Sequence, residues 1–148
     1  MPDLHRLPLT ARLLWREHTP PGGQDGRLAT LARVTAARLN LWLPVVLWAG
    51  LIFALSSIPS LGTGLGTWDL VLRKVAHMAE YAVLGGLLQR AVGREPLAIL
   101  LGSAYAVTDE LHQSFVNGRH GAPLDWLIDT IGVVAGVLLF ARWADSRS

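Results

Sequence analysis

The sequence contains no cysteine and few charged residues. Without cysteine there can be no disulfide bonds, thiolate nucleophiles or cysteine metal ligands. Charged residues make up only 16% of the chain, whereas a typical soluble domain has about 25%. The formal net charge of +2 is too small to indicate nucleic-acid binding. Because half of the residues are hydrophobic and the mean hydropathy is positive, the composition favours a single membrane domain.

One segment has no charged residue at all. It runs from Leu41 to Ile58, and its 18 residues just reach the length of a membrane-spanning helix. Pro44 is tolerated because it lies near the first turns of that helix. This segment is the first predicted helix.

Three further segments have spanning length but carry polar residues near one end. They run roughly over Leu70–Val92, Pro96–Phe115 and Pro123–Trp143, with short loops between them. The expected fold class is therefore all-α, a polytopic membrane bundle of four transmembrane helices over residues 39–144. Residues 1–38 form a basic N-terminal tail, either disordered or an interfacial helix on anionic lipid.

The distribution of basic residues predicts the orientation of this bundle. Ten of the 13 lysines and arginines fall in the tail, the loop after the second helix and the C-terminus. The positive-inside rule makes that side cytoplasmic, so both termini are expected inside the cell. The loops at Ser60–Asp69 and Val116–Ala122 would then lie outside an inner (plasma) membrane that the chain crosses several times.

With this orientation, polar residues from three helices occupy the outer third of the bundle. The 3.6-residue period places most of them on inward stripes, with Glu110 pointing further round. Below them, Gly132 and Gly136 form a small-residue seam at which helices can approach closely. The polar residues are Lys74, His77, Glu80 and Tyr81, then Asp109, Glu110, His112 and Gln113, and finally Asp125 and Asp129.

These residues form motifs that resemble the VanZ-like family over roughly Leu41 to Ala141. The resemblance rests on three patterns in order, together with a Ser56-Ser57-x-Pro59 ending of the first helix. The patterns are Lys74-x-x-His77-x-x-Glu80-Tyr81-x-x-Leu84-Gly85, then Asp109-Glu110-x-His112-Gln113-x-Phe115-Val116-x-Gly118-Arg119, then Asp125-x-x-x-Asp129-x-x-Gly132.

The resemblance implies a small integral membrane protein. The family is named for a protein associated with low-level resistance to teicoplanin, a lipid-bearing glycopeptide antibiotic. This implies a link to the cell envelope and to glycopeptide resistance, but it implies no particular reaction.

The chemistry of the residues supports two functional hypotheses. In the first, the protein is an enzyme at the outer leaflet, with catalytic candidates His77, Glu80, Asp109, Glu110 and His112. Four of them could bind a divalent metal: His77, Glu80, Asp109 and His112. Lys74 and Arg119 would bind an anionic lipid-linked group, in a pocket completed by Tyr81, Gln113, Asp125 and Asp129.

In the second hypothesis the same pocket binds or transports a ligand without chemistry, in contact with membrane lipids. A purely structural alternative pairs Lys74 or Arg119 with Asp109, Asp125 or Asp129. The short loop after the second helix places His77 opposite about residue 111, so that His77, Asp109 and His112 are expected at the centre of one site. The oligomeric state is left open.

Overall fold

The computed structural model describes residues 24–59, 67–117 and 123–147. The chain divides into two compact units, Met1–Ala37 and Arg38–Ser148. In the described part of the first unit, residues 24–37 are helical and almost wholly exposed. The second unit holds the polar residues that the sequence places in the outer third of the bundle.

The described residues form four helices joined by short connections, and no strand is assigned within these ranges. The helices are α1 (Gln24–Ser56), α2 (Thr67–Val92), α3 (Glu95–Gln113) and α4 (Pro123–Asp145). The all-α class predicted from the sequence is therefore confirmed.

The ends of the helices follow from local backbone chemistry. Gly93 has a φ of 67°, which an L side chain rarely adopts, and its N–H donates to the Gln89 carbonyl oxygen at 2.8 Å. A left-handed glycine of this kind commonly ends a helix. Two residues later α3 begins with Pro96 in its first turn, where a missing N–H is harmless. Pro123 begins α4 for the same reason.

The first helix is longer than the sequence predicted. It begins at Gln24 rather than near Leu41, because the basic segment consists mostly of Ala, Leu and Arg, which favour helix. The charge-free run marks the segment that could cross a membrane, whereas the helix itself continues through the arginines. Residues 24–38 are therefore helical, and residues 1–23 of the predicted tail lie outside the described part. A position of this helix on anionic lipid stays a prediction.

Helices α2 and α4 approach each other most closely, at a seam of glycines. A Cβ added to Gly132 or Gly136 would collide with a backbone carbonyl oxygen of α2, that of Met78 or Ala82 respectively. In the reverse direction, a Cβ at Gly85 would collide with the Val133 carbonyl. Close backbone approach through small residues is typical of helix packing in membranes. The predicted Gly132–Gly136 seam is confirmed.

Two of the helices are long and apolar enough to cross a membrane: the segment Gly26–Ser56 of α1, and α4. In the most apolar 18-residue stretch of each helix, only 17% of α1 and 28% of α4 is buried within the protein. Large apolar side chains such as Val46, Leu47 and Leu139 are more than 60% exposed. A soluble protein rarely exposes so much contiguous apolar surface, so these faces suit contact with lipid. Helices α2 and α3 do not meet the same criterion of length and composition.

Candidate functional site

Side-chain contacts show that polar ends of all four helices meet at one level. Ser56, the last residue of α1, bonds to Asp109 near the end of α3. On the other side, Lys74 and His77 in the first half of α2 pair with Asp125 and Asp129 at the start of α4. The chain therefore alternates in direction, and the expected gathering of polar residues at one end of the bundle is observed.

The most deeply buried part of the site is a hydrogen-bonded cluster around Asp109. This carboxyl group is 1% exposed, and its Oδ2 accepts bonds from Ser56 Oγ at 2.8 Å and from Gln113 Nε2 at 2.9 Å. Gln113 Nε2 also approaches Ser56 Oγ at 3.4 Å. Both donors are uncharged. Because buried polar groups are costly without partners, the three side chains hold one another in place.

A second pair joins the same two helices closer to the surface. Ser57, which follows α1 and is exposed, has its Oγ 3.0 Å from His112 Nε2. The Ser57 hydroxyl also lies 2.7 Å from the Phe53 carbonyl oxygen. The His112 ring stacks on the Phe53 ring, with centroids 4.0 Å apart and planes 26° apart. The imidazole is thus held against α1, and its Nε2 is within hydrogen-bonding distance of the exposed Ser57 hydroxyl.

On the α2–α4 side, two contacts between basic and acidic side chains follow one another along the helices. Lys74 Nζ is paired with Asp125 Oδ1, and both side chains are partly exposed. About one turn further in, His77 Nδ1 lies 3.8 Å from Asp129 Oδ1. That distance is too long for a hydrogen bond, and the contact is an ion pair only while the imidazole carries a proton. The Asp129 side chain is 2% exposed against 21% for His77, so the imidazole lies between a buried acid and the surface.

Tyr81 connects the two sides of the site. It is fully buried, its ring lies 6.3 Å from that of His77 and 6.1 Å from that of Tyr105, and its hydroxyl is within electrostatic range of Asp109 and Asp129. Tyr105 in turn donates to the Ala49 carbonyl oxygen at 2.6 Å. The predicted inward position of Tyr81 on α2 is confirmed.

The interior of the site is acidic, and Glu110 belongs to it. Asp129 interacts electrostatically with four other carboxyl groups, those of Glu80, Asp109, Glu110 and Asp125. Glu110 was expected further round α3 than the inward stripe, and it is 9% exposed there. The reason is that Glu110 continues a buried row at four-residue spacing, Ala98, Gly102 and Ala106, on which α4 packs at Gly102. The buried face of α3 is therefore wider than the predicted stripe.

The two histidines predicted at the centre of one site have different contacts. His77 pairs with Asp129 on α4, whereas His112 packs on Phe53 and Ser57 near the end of α1. Across residues 24–59, 67–117 and 123–147, no three histidine, aspartate or glutamate side chains are placed to hold a metal ion. Metal binding by His77, Glu80, Asp109 and His112 stays a prediction.

The two basic residues predicted to bind an anion have different outcomes. Lys74 already has a partner in Asp125, which is one of the pairs that the structural alternative anticipated. Arg119 lies outside the described residues, as do most of the Ser60–Asp69 and Val116–Ala122 loops.

Sequence reasoning missed the two serines at the end of α1 as site residues. They appeared only within the pattern of the family resemblance, although Ser56 contacts Asp109 and Ser57 contacts His112. Two adjacent hydroxyls at the end of an otherwise apolar run were a usable signal. Trp48 was also missed: its Nε1 donates to the Glu80 carbonyl oxygen at 2.9 Å and ties α1 to α2.

These features define a small helical protein with membrane-spanning character and an acidic polar site at one end of its bundle. The VanZ/LLP1 family model matches residues 26–144, and the chain belongs to this family, which is membrane-associated. The match begins at residue 26, whereas the resemblance read from the sequence began only near Leu41. Residues 26–40 of the basic segment therefore belong to the family's domain. No curated protein and no solved structure matches the chain.

Proposed function

We propose that this protein crosses the inner membrane four times, with both termini in the cytoplasm, and presents its polar site to the extracytoplasmic side. The ten-to-three distribution of basic residues supports this orientation. The alternating directions of the helices and their exposed apolar faces support repeated crossing. Lys74 in α2 is paired with Asp125, and Asp109 in α3 accepts hydrogen bonds from Ser56 and Gln113, which lowers the cost of placing these charges in a membrane.

At this site the protein binds an anionic, lipid-linked group of the cell envelope. The observation that carries the proposal is the gathering of polar side chains from four helices at one end, with accessible members at the surface. Lys74 is 41% exposed in its side chain, so it can keep Asp125 as a partner while contacting a phosphate. Arg119 supplies the second positive charge.

The acidic interior is suited to proton transfer to and from a group bound above it. His112 and Glu110 would act as acid or base, and Asp109 is held in one orientation by its two donors. Through such an envelope substrate, the protein would affect teicoplanin susceptibility, as its family resemblance implies.

Reporter fusions at Ser148 test the orientation. A cytoplasmic reporter fused there should be active, and alkaline phosphatase fused there should be inactive. As a control, alkaline phosphatase inserted between residues 60 and 66 should be active. The opposite pattern at Ser148 would show that the polar site faces the cytoplasm, and the proposed extracytoplasmic function would then be wrong.

Lipid analysis tests the binding function. Lipids that co-purify with the wild type should be lost when both Lys74 and Arg119 are changed to Met. Replacing Arg90 and Arg94, at the other end of the bundle, is the matched control and should leave these lipids in place. Equal lipid content in wild type and the Lys74–Arg119 variant would count against an anion site.

The Lys74–Asp125 pair favours a second candidate, a bundle in which the charges serve only to join helices. In that case an exchange of the two residues, Lys74→Asp with Asp125→Lys, should restore every property of the protein. If the exchanged protein is stable but neither retains lipid nor changes teicoplanin susceptibility, Lys74 has a role beyond the ion pair.

A further inference from the structure

Ser57 and His112 are the accessible pair of the site, and their geometry is that of a nucleophile beside a base. The Ser57 Oγ to His112 Nε2 distance is 3.0 Å, within the range that links a catalytic serine to its histidine. Ser57 is exposed and His112 is partly exposed. The neighbouring Ser56 is fully buried and donates to Asp109, so no substrate could reach it.

The contact of Ser57 with the Phe53 carbonyl has an ordinary explanation. A serine near the end of a helix commonly donates to the carbonyl four residues earlier. That habit does not account for the histidine on the same oxygen, nor for the stacking of His112 on Phe53 at 4.0 Å. Ser114 is the comparison within this chain, because it is also exposed and donates to a carbonyl, that of Leu111 at 2.6 Å.

We propose that Ser57 is a nucleophile activated by His112, and that its substrate carries an ester-linked acyl group. This inference rests on the proposed function, since it names a reaction at the same lipid-facing site. The surroundings of Ser57 suit an acyl chain: Phe53, Leu55 and Ile58 are apolar and 46%, 39% and 51% exposed. A polar, accessible pair beside apolar surface would place an ester carbonyl near Oγ and its chain against the helix.

In the first step, the Ser57 hydroxyl rotates from the Phe53 carbonyl toward Nε2. Oγ then attacks the carbonyl carbon while its proton passes to His112. The ester carbon–oxygen bond breaks, and the departing alkoxide takes that proton from His112, which leaves an acyl-serine. A water molecule attacks the acyl-serine, gives one proton to His112, and releases the carboxylic acid as the proton returns to Ser57 Oγ.

A fluorophosphonate probe tests this inference on the full chain in lipid nanodiscs. Such a probe reacts with nucleophilic serines, which displace its fluoride. Mass spectrometry should find the adduct on Ser57 and none on Ser114, although both serines are exposed. The adduct should disappear in Ser57→Ala and remain in Ser114→Ala. In His112→Phe, which keeps an aromatic ring against Phe53, the labelling rate should fall by roughly 10²- to 10⁴-fold, the range for a lost general base.

No adduct on Ser57 of the wild type, or equal labelling of Ser57 and Ser114, would overturn the inference without any variant having to fold. Equal rates in wild type and a folded His112→Phe variant would also overturn it. The proposed function fails separately. If labelling of Ser57 occurs but bound lipid is independent of Lys74 and Arg119, the anion site is wrong. If lipid depends on those residues but Ser57 is inert, the nucleophile is wrong.

Discussion

The polar end of the bundle and the glycine seam join helices by opposite means. At the seam, α2 and α4 touch backbone to backbone because Gly85, Gly132 and Gly136 have no side chains to separate them. At the polar end, hydrogen-bonding side chains span the space between helices, as Ser56 and Asp109 do between α1 and α3. Packing at the seam depends only on the fit of the two backbones, whereas packing at the polar end depends on hydrogen bonds between donors and acceptors.

This difference predicts how each region responds to change. A close backbone contact cannot yield to an added atom, so the seam should fail abruptly. A network of side chains can lose one bond and keep others, so the polar end should weaken in steps. Variants in the two regions test this contrast.

The largest effect is expected for Gly136→Val. Overpacking commonly costs about 1–3 kcal/mol even where side chains can move aside. Here the new Cβ would meet the Ala82 carbonyl, which belongs to the backbone of α2, so we expect loss of the packed α2–α4 pair. Size-exclusion profiles and thermal unfolding in detergent would measure this.

Gly50→Val is the control for that variant. Gly50 is also helical, but a Cβ there would have nothing within 4 Å. Its profile and unfolding temperature should remain close to those of the wild type. A stable Gly136→Val protein would show that α2 and α4 can move apart at the seam without loss of packing.

An intermediate effect is expected at Asp109. In Asp109→Leu, Ser56 and Gln113 lose their shared acceptor inside the protein, and each buried donor left unsatisfied costs about 1–3 kcal/mol. Asp109→Asn keeps one carbonyl oxygen and should retain much of that stability. The unfolding temperatures of the two variants therefore should differ clearly. Equal losses would mean that the negative charge, rather than the bonds to Ser56 and Gln113, stabilises this end.

The smallest effect on stability is expected for Lys74→Met. The Lys74–Asp125 pair is partly exposed, with side chains 41% and 33% accessible, and such pairs contribute about 0–1 kcal/mol. The unfolding temperature should therefore change little, and less than in Asp109→Leu measured in parallel. A loss of stability as large as that of Asp109→Leu would show that the Lys74–Asp125 pair contributes as much to stability as the buried bonds of Asp109.

Much of the fold could be predicted from the sequence because helix signals are local. Proline at the start of α3 and α4, glycine after α2 and the 3.6-residue period indicate the helices and most inward stripes. The extra length of α1 could not be predicted in this way, because a loss of hydrophobicity does not mark the end of a helix. A helix can continue through arginines, since its backbone bonds do not depend on side-chain polarity.

The pairing of side chains between helices was harder to predict. The short Gly93 turn suggested α2 and α3 as the closest partners, which placed His77 near Asp109 and His112. In the structure α2 packs more tightly on α4, and His77 faces Asp129. Neighbours along the chain need not be the closest neighbours in space, because the approach of two helices depends on the size of the residues between them.

The sequence by itself determined four helical segments, the inward position of most polar residues and their gathering at one end. These follow from periodicity and from the direction in which each helix runs. Only the tertiary structure decided which groups touch: Ser57 with His112, Ser56 with Asp109, and His77 with Asp129. The physical reason is that such contacts depend on how far each helix is rotated and how closely it approaches its neighbours, and the glycine seam between α2 and α4 sets the closest of these approaches.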